Sequence, residues 1–159
     1  MNDYRKAVEW FEKCIKTSRE SGDVLNTGYG LANAAENYAK LGEELEKAKG
    51  YVDEALNIFI KLGEKRVIGN CHAIYGIIYH KKKEWDKASE EFEKGIKIEE
   101  EVESLEILSY THHDYGKMFA DKGDKDSARE QFEKSISIYE KLGNKKKVEE
   151  IRGEMEGLG

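Results

Sequence analysis

The chain has 159 residues, of which 38% are charged and 38% hydrophobic, and it contains no proline. Its formal net charge of −6 argues against nucleic acid or an anionic membrane as the main target. No apolar run approaches the roughly 18 residues that a membrane span requires, and no signal peptide is visible. Cys14 and Cys71 fit free thiols in a reducing compartment. The composition therefore predicts a cytoplasmic protein.

Apolar and small residues three and four positions apart predict a series of amphipathic helices along the whole chain. In chain order we expect helices at 3–21, 24–41, 44–62, 65–82, 85–102, 105–122, 125–142 and 145–156. Most breaks contain a glycine followed by a polar residue, which is typical of a helix C-cap. The breaks at Lys83-Glu84 and Glu103-Ser104 lack glycine, and Ser104 is predicted to act as an N-cap.

Two short patterns recur along these helices. The first is an alanine with a bulky apolar residue four positions later: Ala7/Phe11, Ala48/Val52, Ala88/Phe92 and Ala128/Phe132. The second precedes the last three copies: Leu31-x2-Ala34-Ala35-x2-Tyr38, His72-x2-Tyr75-Gly76-x2-Tyr79 and His112-x2-Tyr115-Gly116-x2-Phe119. The alanines of the first pattern are 41, 40 and 40 residues apart. Such self-similarity predicts an array of helical hairpins, each with a first-arm and a second-arm helix.

The two patterns together resemble the tetratricopeptide repeat, whose signature is W-x2-L-G-x2-Y…A-x3-F. The period exceeds the usual value of about 34 residues and the closing proline is missing, as in variants with longer helices. HEAT repeats share the longer period but lack the aromatic–glycine pattern. The resemblance implies an all-α, right-handed α-solenoid of antiparallel helix pairs in one domain, 1–159. Its parts would be a half-repeat at 3–21, repeats at 24–62, 65–102 and 105–142, and a capping helix at 145–156.

Catalytic and metal-binding motifs are not evident. The chain has no phosphate-binding loop, no His-Glu-x-x-His and no Gly-x-Ser-x-Gly. His72 and His112 hold the same repeat position, so stacking would separate them by roughly 10 Å or more, too far for one metal ion. The acidic run Glu99–Glu101 is interpreted as a solvated face. We therefore predict a protein that is not an enzyme and holds no metal or cofactor.

The resemblance also predicts where a partner would bind. In tetratricopeptide proteins the first-arm helices line a concave groove that takes peptides or partner helices. The projected groove positions are Tyr29, Asn33, Glu36, Asn70, Ile74, Ile77, Tyr110, His113, Asp114 and Lys117. Ile74 and Ile77 would form an apolar strip in the groove, or belong to the core if the superhelix is tightly wound. Too few of these positions are lysine, arginine or asparagine for a clamp around a C-terminal carboxylate.

The half-repeat 3–21 carries a second candidate surface, on a stripe that a preceding first-arm helix would normally cover. The stripe and its neighbour are Tyr4, Ala7, Trp10, Phe11 and Cys14. Leaving it in water costs roughly 1.5–3 kcal/mol per large side chain. Self-association or an exchange of terminal helices would cover it. A truncated chain, or a local rearrangement that folds the stripe inward, would also explain it.

These expectations combine into a non-enzymatic scaffold that binds a protein or peptide in its groove, with neither nucleic acid nor membrane as a partner. Two alternatives stay open. The chain could be a regulatory or sensor module of a larger multidomain protein, or a homo-oligomer assembled through helix 3–21.

Overall fold

A computed structural model describes residues 2–159 and contains eight α-helices within that range. They are α1 (Asn2–Ser21), α2 (Val24–Leu41), α3 (Leu45–Leu62), α4 (Lys65–Lys81), α5 (Trp85–Glu101), α6 (Leu105–Lys122), α7 (Lys125–Lys141) and α8 (Lys145–Glu156). The helices predicted from periodicity are confirmed to within one residue at each end. Across residues 2–159, none of the helices has the length and apolar character needed to cross a membrane.

The helices form a solenoid, as predicted. Junctions of two or three residues join antiparallel neighbours, and each helix packs against the next one in the chain. In addition, α2 packs beside α4, and α4 beside α6. We call the side formed by α2, α4, α6 and α8 the inner face. Because its helices touch directly, the superhelix is tightly wound toward this face.

Glycine allows the two arms to approach closely in the second and third hairpins, 65–102 and 105–142. A Cβ atom at Gly76 would lie 2.7 Å from Cδ1 of Phe92, and one at Gly116 would lie 2.5 Å from Cδ1 of Phe132. Both phenylalanine side chains are almost completely buried. The repeated glycine and phenylalanine positions are therefore one physical contact, made once in each of the hairpins 65–102 and 105–142, whereas Ala35 and Val52 hold these positions in the hairpin 24–62.

The junctions depend on left-handed backbone. Gly22, Gly42, Gly63, Gly123 and Gly143 have φ between 70° and 88°, as the sequence predicts for C-caps. The two junctions without glycine use the same conformation at Lys83 (φ 59°) and Glu103 (φ 53°). Ser104 stands at the N-cap of α6, but its side chain makes no capping hydrogen bond, so that part of the prediction is wrong.

Consecutive hairpins are joined by hydrogen bonds from tyrosine to carboxylate. The Tyr75 hydroxyl on α4 donates to Asp53 on α3, and the Tyr115 hydroxyl on α6 donates to Glu93 on α5 at 3.1 Å. Each pair is 22 residues apart. Between α1 and the hairpin of α2 and α3, the carboxylate of Glu12 instead accepts from two tyrosines, at 2.9 Å from Tyr38 and 3.0 Å from Tyr51. These bonds fix the rotation of one hairpin on the next.

The interpretation of Glu99–Glu101 as a solvated face is wrong for its first residue. Glu99 is completely buried, while Glu100 and Glu101 are exposed. Its Oε1 accepts a hydrogen bond of 3.0 Å from Thr111, and its Oε2 has no partner among residues 2–159. Burial raises the pKa of Glu99 to about 7, although the bond from Thr111 opposes the shift. A Cβ atom at Gly69 would lie 3.0 Å from its Cγ, so glycine makes room for this carboxyl.

Candidate functional site

The inner face carries two pockets rather than one continuous groove. The first, the carboxyl-end pocket, has a volume of about 320 Å³ and lies near the last turns of α2 and α4. Side chains from α1, α2, α4, α6 and α8 line it, including Tyr4, Ile77, Tyr110, His113, Asp114 and Lys117. The second, the amino-end pocket, has a volume of about 350 Å³ and includes Tyr29, Asn33 and Asn70.

The predicted apolar strip belongs to the core. Only 1% of the surface of Ile74 and 5% of that of Ile77 is exposed, because α4 is flanked directly by α2 and α6. Ile74 is therefore wrongly predicted as a groove residue, and the tightly wound alternative is correct for it. Ile77 reaches the wall of the carboxyl-end pocket with little exposed surface.

An ion-pair network explains why the inner face is closed beside Ile74 and Ile77. The Lys40 ammonium lies 2.6 Å from a carboxylate oxygen of Glu36 and 3.8 Å from one of Asp114. The second contact joins α2 to α6 past the intervening α4. Burial alone would lower the pKa of Lys40, but the two carboxylates outweigh it and raise that pKa. Glu36 and Asp114, predicted as ligand contacts, are therefore engaged with Lys40.

Two histidines hold neighbouring inner-face helices together. His113 is only 3% exposed, and its Nε2 lies 2.9 Å from Glu154 on α8. His80, at a different repeat position, makes a similar contact of 2.8 Å from α4 to Asp121 on α6. Burial of Glu154 would raise its pKa, but the contact with His113 keeps it below the usual value. The ring of His113 is engaged with α8 where it lines the carboxyl-end pocket, and its role as a ligand contact stays a prediction.

The predicted residues that remain accessible lie at the two ends of the inner face. Tyr110 is 41% exposed in the carboxyl-end pocket, and Lys117 beside it reaches Asp114 only at 3.8 Å. Tyr29 is 39% exposed in the amino-end pocket, where Asn33 and Asn70 are half-buried. The structure thus brings each predicted tyrosine together with polar side chains.

Three lysines of the carboxyl-end pocket were not predicted. Lys40, Lys81 and Lys147 line it together with Lys117, so four ammonium groups come from four different helices. Lys40 and Lys81 are 41 residues apart and hold the same repeat position. That repetition is the signal that could have identified them. Chemically, the pocket offers several cations and a tyrosine hydroxyl to an acidic group.

Histidines elsewhere make contacts within one hairpin. His72 Nδ1 lies 2.7 Å from Glu91, and His112 Nδ1 lies 2.8 Å from Gln131. Burial lowers the pKa of His112 below the usual range despite its bond with Gln131. In the part of the chain that the structure describes, no three histidine, cysteine or acidic side chains are grouped to share a metal ion.

The stripe on α1 is folded partly inward. Val8 and Ile15, which are 7% and 2% exposed, lie in the interior, and Ile15 contacts α2 closely at Gly30. As a result, the predicted residues Ala7, Phe11 and Cys14 are half-buried. Tyr4 and Trp10 remain 41% and 60% exposed.

A cavity of about 610 Å³ lies between α1 and α2, and we call it the α1–α2 groove. Residues from both helices line it, including Trp10, Phe11, Cys14, Ser18, Tyr29 and Gly30. It is separate from the carboxyl-end pocket and meets the amino-end pocket at Tyr29 and Asn33.

Comparison with known proteins identifies the repeat. Family models described as tetratricopeptide repeat match residues 70–141 and 1–21. No curated protein matches the chain. The crystal structure of BtubC (BKLC) from P. vanneervenii is similar with a TM-score of 0.76 and 16% sequence identity. The similarity covers 98% of this chain but only 65% of that protein, and at this identity it concerns the fold alone.

Proposed function

Since this chain belongs to the tetratricopeptide repeat family, we propose that it is a protein-interaction module whose inner face binds an acidic segment of a partner protein. Repeats of this family generally mediate protein–protein interactions, and their proteins are typically non-enzymatic scaffolds. In this chain the carboxyl-end pocket receives the acidic side chain, and the amino-end pocket contacts the rest of the segment.

The observation that carries this proposal is the convergence of lysines in the carboxyl-end pocket. Lys40 is engaged with Glu36 and Asp114, and Lys147 lies 2.9 Å from Glu150. Lys81 is exposed and has no ion-pair partner among residues 2–159, and Lys117 has only a long contact. Lys81 and Lys117 are therefore the cations left for an incoming carboxylate.

Neutral side chains complete the recognition surface. Tyr110 offers a ring and a hydroxyl group beside these lysines, and tyrosine is enriched where proteins bind partners. In the amino-end pocket the Asn33 Nδ2 donates to the carbonyl of Tyr29 at 2.8 Å, which leaves Oδ1 as the acceptor for a ligand amide. Charge therefore selects the segment at one end, and amide groups hold its backbone at the other.

A matched pair of double variants tests the proposal. Lys81→Ala/Lys117→Ala removes the two available cations of the pocket. Lys61→Ala/Lys122→Ala removes the same charge from exposed positions outside the pockets. Both proteins, immobilised beside the wild type, are exposed to a lysate of the source organism. We expect a partner retained by the wild type and the control to be lost from the pocket variant.

Titration of the identified partner segment into each variant then measures how much binding affinity is lost. Removal of two charge-assisted contacts is expected to weaken binding by roughly tenfold or more. Tyr110→Ala should weaken it as well. Equal affinity for the wild type and for the folded pocket variant would rule out the carboxyl-end pocket as the binding site.

A further inference from the structure

The α1–α2 groove is a largely apolar surface that the proposed function uses only at its edge, where Tyr29 and Asn33 also line the amino-end pocket. Along α1 it runs from Trp10 to Ser21, a distance of about 16 Å at the rise of an α-helix. Trp10 stands at one end with 60% of its surface exposed, and its ring packs edge-on against Phe11 at 5.0 Å between centroids. A tryptophan held this way in an open groove is characteristic of an interface anchor.

We propose that this groove binds the same groove of a second copy of the chain, in an antiparallel, two-fold arrangement. Trp10 of each copy enters the far end of its partner's groove. The contact is isologous, so the two grooves close on each other and the assembly stops at a dimer.

The sizes of the lining residues support an antiparallel arrangement. Bulky side chains lie at one end of the groove, with Trp10 and Phe11, and small ones lie at the other, with Ser18 and Ser21, while Tyr29 lies near the middle, where Gly30 beside it contacts Ile15. A two-fold axis across the groove places the bulky end of one copy against the small end of the other. Each tryptophan then fills space that its partner leaves open.

The polar groups follow the same pattern. Trp10 offers its indole N–H and Lys13 its ammonium group at the bulky end, and Lys13 has no ion-pair partner among residues 2–159. At the small end lies the carboxylate of Asp23, with Glu20 close by in sequence. Asp23 accepts from the backbone N–H and the side chain of Asn26, at 3.0 and 2.6 Å, and has lone pairs left. Donors therefore meet acceptors at both ends.

A first-arm helix that carries a histidine at the position of His72 and His112 is a poorer occupant. In the three complete hairpins the position of Trp10 is held by Tyr51, Glu91 and Gln131, and the last two each contact a histidine of their first arm. Trp10 cannot accept a hydrogen bond from such a histidine, so an apolar or aromatic partner suits it better.

A head-to-tail contact with α8 of another copy is also disfavoured. Arg152 of α8, which has the repeat position of His112, is already 2.7 Å from Glu140. Glu156, which has the position of Gly116, would replace the glycine that a phenylalanine needs. The second copy is therefore expected to use its own α1–α2 groove.

Tryptophan fluorescence and sedimentation test the proposal together. Trp85→Phe leaves Trp10 as the sole tryptophan. We expect its emission to shift to longer wavelength on dilution from about 100 µM to about 1 µM, as the mass falls from two chains to one. The reciprocal variant Trp10→Phe, which reports on Trp85 alone, should show no such shift.

Two further variants separate this interface from the pocket. Trp10→Ala, at an exposed site, should keep its helical circular dichroism and weaken dimerisation by roughly tenfold or more. Tyr110→Ala, which truncates an exposed aromatic residue in the carboxyl-end pocket, should dimerise like the wild type. A wild-type chain that stays monomeric at about 100 µM, or a Trp10→Ala variant that dimerises equally well, would overturn the proposal. Neither result would affect capture through Lys81 and Lys117.

Discussion

Lys40 on α2 and Asp114 on α6 are paired at 3.8 Å, although α4 lies between their helices. Such a contact requires the superhelix to be wound so tightly that one lysine side chain can bridge the distance from α2 to α6. Both side chains are largely buried, with 24% and 17% of their surface exposed. The pair therefore reports on the winding of the whole solenoid and not on one hairpin alone.

The contribution of this pair can be measured by a double-mutant cycle in urea. Lys40→Met and Asp114→Asn should each lower the free energy of unfolding, since each removes one of the ion-pair contacts of the other, largely buried group. We expect a coupling energy of about 1 kcal/mol between them, because the separation is long. Strictly additive effects would mean that α2 and α6 are held at their distance by packing alone.

Glycine substitutions should have opposite effects at two helical positions. At Gly116 an added Cβ would meet the buried ring of Phe132 at 2.5 Å, so Gly116→Ala should cost about 2–3 kcal/mol. At Gly50, in the middle of α3, an added Cβ meets nothing within 4 Å. Gly50→Ala should therefore stabilise by about 0.5–1 kcal/mol. Thermal unfolding of both variants checks the prediction, and a neutral Gly116→Ala would contradict it.

Glu99 should make the stability fall as the pH rises. Its pKa in the folded protein is raised from 4.5 to about 7, so the folded state retains a proton that the unfolded state releases between these values. Stability is therefore highest below pH 4.5 as far as this group is concerned, and above about pH 7 the loss reaches about 3 kcal/mol.

The variant Glu99→Met removes the titrating group but keeps an unbranched side chain of similar length. We expect it to unfold at a higher temperature than the wild type at about pH 8, and at nearly the same temperature at about pH 4.5. The exposed neighbour provides a control, since Glu100→Gln should change neither value appreciably. A Glu99→Met variant with an unchanged pH profile would refute the assignment.

The junctions without glycine store backbone strain. Glu103 has φ 53° and Lys83 has φ 59°, a region that L-residues enter at a cost of about 1–2 kcal/mol. Each change to glycine relieves this strain, but glycine also has a larger conformational entropy in the unfolded chain. The net effect should be a rise of about 0.5–1 kcal/mol in the free energy of unfolding. Glu101→Gly, inside the last turn of α5, should instead lower it by about 1 kcal/mol. Urea unfolding compares the three variants.

The sequence predicts the helices well because each hairpin repeats the same local contacts. The predicted bounds lie within one residue of those observed, and Gly76 meets Phe92 as the pattern implies. The same register also predicts the burial of Glu99, because Phe59 and Tyr139 stand 40 residues to either side and are buried. The composition of the acidic run suggested that Glu99 is exposed. Its position in the repeat determines instead that it is buried.

The shape of the inner face was not predictable in the same way. It depends on how far one hairpin turns against the next, and that angle is set by contacts between residues far apart, such as Lys40 and Asp114. The orientation of α1 has a similar cause. Alignment with α5 places Tyr4 and Phe11 on the face that a preceding first-arm helix would cover, whereas packing against α2 buries Val8 and Ile15. Sequence periodicity predicts the buried face of a single helix, and it gives no information about the angles between helices.

The tyrosine–carboxylate bonds between hairpins make the solenoid extensible by whole units. Residues 64–103 carry an acceptor for the following hairpin at Glu93 and a donor for the preceding one at Tyr75. A tandem copy of this segment would form the bond at both of its ends. Tyr75 of the copy would donate to Glu93 of the original, and Glu93 of the copy would accept from the hairpin that follows. Gene duplication of such a unit adds a layer without a new interface, so chain length can change while the ends keep their own surfaces.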